Sequence, residues 1–239
     1  MGGCSIVKVY PVVHINSPGE AVAQATTALE SGADGVYLID HHGNTDDLFD
    51  TFNQLDRTKP SAFIGVNLLG VGPLAACKLM NALHKNSLLS RIPDGLWADN
   101  ALSEVQAGET LAFKNNTDGM EGMRYLGGIS FKYTSTFTEK PKLAYGLAVD
   151  AQSRVDVVTT SGAGTGTAPT VGKIAAMKRA ADEAHKPLAV ASGIDLSNVA
   201  DFKGLVDEVL VASSLETAPY SGIFDHDKLA AFIDRAHNL

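Results

Sequence analysis

The chain reads as an α/β protein, a single-domain (β/α)8 TIM barrel of the phosphate-binding type spanning residues 1–239. Its length is the first observation, because one such barrel typically takes ~250 residues. Second, eight short apolar runs rich in β-formers alternate with segments of helical period, the signature of repeated βα units on a parallel sheet. Third, two turns of small residues, Ala191-Ser192-Gly193-Ile194-Asp195 and Val211-Ala212-Ser213-Ser214, each stand between a strand-like run and a helix-like one. Turns of this kind after the seventh and eighth strands leave backbone N–H groups open to an anion.

The strands are expected at 7–15, 36–39, 62–67, 95–98, 129–133, 156–160, 188–191 and 208–211. Pro11 removes a ladder donor inside the first run, so that strand is expected to begin properly at Val12. Ser17-Pro18-Gly19-Glu20 combines a capping box with proline at the first helical position, ahead of Val22, Ala25, Ala28 and Leu29. Leu229, Phe232, Ile233 and Ala236 recur at helical spacing and predict a final helix packed by one face. Between residues 101 and 125 the pattern is broken by Gly108, Asn115, Asn116 and Gly119, so the fourth helix is expected to include a loop or lid. Asp34, Asp94, Asp156 and Asp207 each stand at the head of an apolar run, which reads as a structural aspartate repeated at the αβ turns rather than as catalytic groups.

Composition bounds the partners. With 45% hydrophobic residues the chain buries a full core, and a net charge of −8 with a pI of about 5.3 leaves no basic stripe for nucleic acid. A small molecule is the expected partner, and self-association into a homo-oligomer is compatible with the composition. Cys4 and Cys77 make neither a disulfide framework nor a four-ligand zinc site, which points to a reducing compartment, the cytoplasm. Met1-Gly2-Gly3-Cys4-Ser5-Ile6 places Ile6 where a myristoylation signal needs Ser or Thr, and no targeting is expected. No run approaches the ~20 apolar residues of a membrane span.

In a closed parallel barrel the residues at the C-terminal strand ends meet at one mouth. Those residues are His14, Asp40, His41, His42, Asn67, Asp99, Lys132, Thr160, Ser192 and Ser213. Lys132, expected inside the fifth strand between Phe131 and Tyr133, would be a partly desolvated amine suited to a base, a Schiff base or an anion ligand; the alternative is a structural pair with Asp99 or Asp40. Asp40 ends an apolar strand and opens onto His41-His42, as a carboxylate for acid–base work would; the alternative for the histidines is a solvated turn. The loop Thr160 to Thr167 carries Gly162, Gly164 and Gly166 with Thr165 among them, and matches neither dinucleotide nor P-loop spacing. Its glycines permit close backbone approach and its hydroxyls offer adaptable hydrogen bonds, as a ligand-gripping loop requires. Ser192, Gly193, Ser213 and Ser214 are the expected phosphate ligands. No cofactor motif is legible, and a divalent metal would have to use His14, Asp40 and His42.

The order of these motifs, Val13-His14 then Pro18-Gly19, Gly32-Ala33-Asp34-Gly35, Gly65-Val66-Asn67-Leu68-Leu69, Thr160 through Gly166 and Ala191-Ser192-Gly193-Ile194, resembles the BtpA family. The resemblance runs over nearly all of the chain outside residues 100–128. It implies a phosphate-binding barrel with a role in photosystem I biogenesis, and it implies no particular reaction. Residue by residue, His14 resembles the histidine of the family's first-strand pattern, Asn67 its Gly-Val-Asn asparagine, and Lys132 its lysine closing strand five. Thr165-Gly166, Ser192-Gly193 and Ser213-Ser214 resemble its Thr-Gly, Ser-Gly and Gly-Thr-Ser segments. Asp40-His41 stands where a Glu-Asn is typical, and Asn16-Ser17-Pro18-Gly19 replaces a Pro-Leu-Pro-Gly stretch.

The leading expectation is an enzyme that binds a sugar phosphate or phosphoribosyl compound at the barrel mouth. Its isomerase, lyase or glycosyl-transfer chemistry would be carried by Asp40 and Lys132, with His14, Asn67 and Asp99 orienting the ligand. Two alternatives compete: a non-catalytic ligand-binding or assembly protein that keeps the anion site, and a metal-dependent hydrolase.

Overall fold

A computed structural model describes residues 6–101, 107–218 and 221–239, so the amino-terminal segment with Cys4 and the centre of the irregular 101–125 region lie outside the described residues. Eight parallel strands close into a barrel in the order of the chain. They are β1 (Lys8–His14), β2 (Val36–Ile39), β3 (Ile64–Asn67), β4 (Gly95–Ala98), β5 (Arg124–Gly128), β6 (Val157–Thr160), β7 (Leu188–Ala191) and β8 (Glu208–Val211). Around them run α1 (Pro18–Glu30), α2 (Thr45–Thr58), α3 (Pro73–Lys85), α4 (Ala107–Asn115), α5 (Pro141–Ala151), α6 (Val171–Glu183) and α7 (His226–His237). The (β/α)8 barrel expected from the alternating periods is the observed fold.

Two aromatic and aliphatic shells hold it together. Outward-facing strand residues such as Val9, Leu38 and Val209 pack against the buried stripes of the helices, among them Phe52 and Leu55 of α2 and Phe232 and Ile233 of α7. Inside the barrel, Tyr10, Tyr37, Trp97, Leu126 and Phe131 fill the axis. The Tyr37 ring fits only because Gly65 and Gly95 present no side chain; a Cβ on Gly65 would stand 2.2 Å from it. Arg124 of β5 and Glu208 of β8 pair across the base of the barrel, with Tyr10 beside them.

The four repeated aspartates are structural, as their spacing suggests. Each clasps the residue that opens the strand before it: the amides of Val9, Ile64, Tyr125 and Leu188 each donate at 2.8 Å to Asp34, Asp94, Asp156 and Asp207. Each aspartate returns its own amide to the same residue's carbonyl at 2.9–3.0 Å. A basic side chain meets every clasp: the His237 ring on Asp34, Arg91 on Asp94, Lys114 on Asp156 and Lys178 on Asp207.

Four local expectations are corrected. Pro11 lies within β1, paired with Val211. The Asp34 amide bonds to Val9 and the Ile15 amide to Ile39, so odd residues of β1 face β2, and the donor that Pro11 lacks falls just before the β1–β2 ladder opens at Val12↔Tyr37. The fifth strand is β5, residues 124–128, and not 129–133. Gly127 and Gly128 lie in the strand at points of close approach, since Cβ atoms there would meet Val155 and Ala101 and the Asp99 backbone. The chain after β7 forms only a 3-10 turn, Val199–Phe202, and the chain after β8 opens with another, Ser213–Leu215, where helix-like runs were expected. Ser17 is the N-cap of α1 with Pro18 following, but its hydroxyl donates to the Glu20 carboxylate at 3.1 Å in place of closing a capping box.

Replacing Asp94 with alanine strands the buried Ile64 amide and removes one of the two carboxylates that hold Arg91. The expected loss is about 2–3 kcal/mol of unfolding free energy, read by urea denaturation, with Leu229-side packing and the mouth unchanged.

Candidate active site at the barrel mouth

The C-terminal strand ends enclose one cavity of about 580 Å³. On one wall the β7 turn and the β8 turn adjoin: Ser192, Gly193, Ile194, Ser213 and Ser214 all line it, with Thr165 and Gly166 from the β6 loop. The carbonyl of Gly193 is taken by Asn198 Nδ2 at 2.8 Å and that of Ile194 by Ser214 Oγ at 3.0 Å. Among the described residues, the amides of Gly193 and Ile194 meet no acceptor. Ser213 and Ser214 open a 3-10 turn, whose first amides have no acceptor inside the turn. Gly193 has φ +78, and a Cβ there would run into Thr167, so this turn tolerates only glycine. The Ser192 hydroxyl receives the Gly166 amide at 3.1 Å and thereby joins the β6 loop to the β7 turn.

The titratable groups stand around the rest of the mouth. Asp99, just past β4, accepts Asn67 Nδ2 at 3.1 Å. Burial pushes its carboxyl above the ordinary value, against the opposing pull of Asn67, Lys132 and His41. Lys132 lies in the loop after β5, its amide donating to Ser161 Oγ at 2.8 Å and its Nζ to Thr165 Oγ1 at 3.3 Å. Burial lowers its ammonium from the ordinary value, with Asp99 pulling the other way. His14 stacks edge-on against His41 with ring centroids 4.9 Å apart. Burial, reinforced by His41 and Lys132, takes His14 down to about 4, so it is neutral near pH 7. Its 3.6 Å approach to Glu216 is accordingly a contact of a neutral ring and not an ion pair.

His14, Asp99, Lys132, Thr165, Gly166, Ser192, Gly193, Ser213 and Ser214 therefore share one cavity. Other expected site residues stand behind it. Asp40 does not line the cavity: its two oxygens accept the amides of His42 at 2.7 Å and Asn44 at 2.5 Å, which makes it the clasp of the β2–α2 turn. Asn67 is buried and reaches the cavity only through Asp99. Thr160 is buried and donates to the Ser130 carbonyl, Gly162 packs on the Thr167 carbonyl, and the Gly164 carbonyl receives the Thr167 amide, so these three shape the loop without facing the ligand space. The trio His14, Asp40 and His42 does not gather: among the described residues no three His, Cys, Asp or Glu side chains cluster as metal ligands. Tyr133, 80% exposed with φ +62, is not in a strand; its hydroxyl touches Thr165 and it lines the cavity rim.

Two residues escaped sequence reasoning. Trp97, second-last in β4, forms part of the cavity floor; as an aromatic within a strand it carries the same signal as core. Lys173, in the first turn of α6, reads as a solvated helix position. It is fully buried, and its Nζ donates to the carbonyls of Ser130 at 2.8 Å and Ser161 at 2.7 Å. Burial lowers it to about 8 with Glu139 opposing, and it ties the β5 and β6 loops into one support for Lys132.

A closed parallel barrel with a cavity at the C-terminal strand ends belongs to the class of (β/α)8 barrels whose loops bear the site. Within that class, the chain belongs to the BtpA family, whose model matches residues 55–238. No curated protein matches it in sequence. Among solved structures it is similar to phosphoribosyl anthranilate isomerase from Thermotoga maritima, at 15% identity over 98% of this chain and 100% of that one, TM-score 0.66. It is also similar to thiamine phosphate pyrophosphorylase from Pyrococcus furiosus, at 13% identity over 97% and 96%, TM-score 0.63. A structure described as native KDPGal matches at 16% identity over the full length of both chains, TM-score 0.66. At these identities the likeness is one of fold. Among the described residues no helix is long and apolar enough to cross a membrane.

The His14 shift has a signed consequence. Its value in the folded state lies below the unfolded 6.5, so the stability it contributes is complete above pH 6.5 and is lost as pH falls toward about 4. His14→Gln should flatten the pH dependence of unfolding free energy in that window by about 2–3 kcal/mol, measured by denaturant titration at pH 7 and pH 4.

Proposed function

We propose that this protein is an enzyme acting on a small phosphorylated ligand, a sugar phosphate or phosphoribosyl compound, by proton transfer at the barrel mouth. The observation that carries the reading is the shared cavity, which holds the acceptor-free amides of Gly193 and Ile194 together with the Asp99 and Lys132 side chains. The β7 and β8 turns hold the phosphate through backbone N–H groups and the hydroxyls of Ser192 and Ser213, which fixes the ligand's far end against the acid–base pair. Asp99 in its carboxylate form takes a proton from the ligand; Asn67 and Lys132 favour that form, while burial opposes it more strongly and raises the carboxyl. Lys132 gives a proton to, or polarises, the oxygen or nitrogen where charge develops. Such a pair serves isomerase, lyase or glycosyl-transfer chemistry, and Asp99 takes the role that Asp40 was expected to hold. A purely ligand-binding protein of the same family would need the amides but not this pair.

A thermal-shift screen of phosphorylated sugars and phosphoribosyl compounds identifies the ligand, since one present at 100 times its Kd stabilises by about 2.7 kcal/mol. On that ligand, Lys132→Ala should reduce turnover at least about a hundredfold while changing affinity less than about threefold; full turnover in the variant overturns the reading. The pH–rate plateau should be narrower than unperturbed groups would give. The raised carboxyl moves the acid limb up and the lowered ammonium moves the alkaline limb down. Asn67→Ala, which removes a bond favouring ionised Asp99, should move the acid limb further up in a kcat profile.

A further inference from the structure

Trp97 occupies a position that holding a phosphate does not explain. It lies on β4, whereas the anion turns follow β7 and β8, and in a closed ring of eight strands β4 stands directly across from β8. The indole is 8% exposed, lines the cavity, and its Nε1–H meets no partner among the described residues. That nitrogen is itself buried in the barrel interior, so what the residue offers the cavity is the apolar surface of its ring. The ring is held rigidly: Tyr37 and Phe131 meet it edge-on, with centroids 6.3 and 6.1 Å away. Val12, Ile39 and Leu210 supply the apolar surface around it. Two residues further along the strand, and so on the same face, Asp99 offers a hydrogen-bond acceptor at the edge of this apolar floor.

A pentose phosphate anchored on the β7 and β8 turns presents only hydroxyls to the opposite wall, and hydroxyls gain little from an indole face and aliphatic side chains. A flat nitrogen heterocycle joined to the sugar's far end matches both features. Its face covers the apolar floor, and a ring or exocyclic N–H donates to Asp99.

Resting on the phosphate-holding reading above, we propose that the ligand is a phosphoribosyl compound bearing a planar heteroaromatic ring, of the nucleoside 5′-monophosphate class, with Trp97 and Asp99 as its ring-recognition groups. The β7 and β8 turns take the phosphate, the ribose crosses the mouth beneath His14, and the ring settles against β4.

The chain has a single tryptophan, so its fluorescence reports on this subsite alone. The test titrates the whole protein with purine and pyrimidine nucleoside 5′-monophosphates, the matching unphosphorylated nucleosides, and ribose 5-phosphate, following Trp97 emission and, in parallel, calorimetric affinity. At least one monophosphate should quench Trp97 and bind about tenfold or more tighter than ribose 5-phosphate. In Trp97→Leu that preference should vanish while ribose 5-phosphate affinity stays within about twofold, which also shows that the variant is folded. Should the variant fail to fold, quenching and the affinity ratio in the unaltered protein decide the matter. Ribose 5-phosphate binding as tightly as every monophosphate, with emission unchanged, overturns the ring subsite and leaves the phosphate reading standing. Nucleosides quenching as strongly as their monophosphates, with no binding of ribose 5-phosphate, supports the ring subsite and overturns the phosphate reading. No binding of any of the three classes overturns both.

Discussion

Register at the closed end of the barrel governs the chemistry at the open end. Side chains along a strand alternate between the helix layer and the axis, so a slip of one residue would turn every site group outward. The four aspartate clasps prevent that slip. Each couples two adjacent strands through a reciprocal pair of hydrogen bonds and is met by a basic side chain. With Asp94 held to Ile64, Gly95 faces Tyr37 on the axis, Trp97 follows two residues later and Asp99 two beyond that. The repetition at every second strand gives the barrel four equivalent units and one common way of setting its top.

Above that base the mouth divides into a backbone half and a side-chain half. Around β7 and β8 the structure turns carbonyls toward the protein, through Asn198 and Ser214, and leaves amides for a ligand. Around β4 and β5 it assembles Asp99, Lys132 and Trp97 on supports that are themselves buried. Lys173 is the clearest of these. It donates to two loop carbonyls at once, and Ser161, one of the residues so held, accepts the Lys132 amide. The β6 loop then links the halves, since Thr165 meets Lys132 and Tyr133 while Gly166 meets Ser192.

Much of this was legible in the chain, for definite reasons. The strands showed as apolar runs because a parallel barrel buries both faces of its strands, and the aspartates showed because four clasps need four similar junctions. Ser192-Gly193 and Ser213-Ser214 were legible because turns that expose amides require small residues. The fifth strand was expected five residues late, at 129–133, because that run alternates like a strand, and this placed Lys132 within it, whereas the lysine reaches the cavity from a loop.

The sequence by itself determined the fold class, the repeated structural aspartates and the small-residue turns after β7 and β8, because each follows from local periodicity or from residue types that a local conformation demands. Only the tertiary structure decided that Asp40 serves its own turn while Asp99 faces the ligand space, that Lys173 is buried, and that Trp97 keeps an unmatched donor. These properties depend on what lies opposite a residue across the barrel, and elements far apart in the chain meet there only once the sheet has closed.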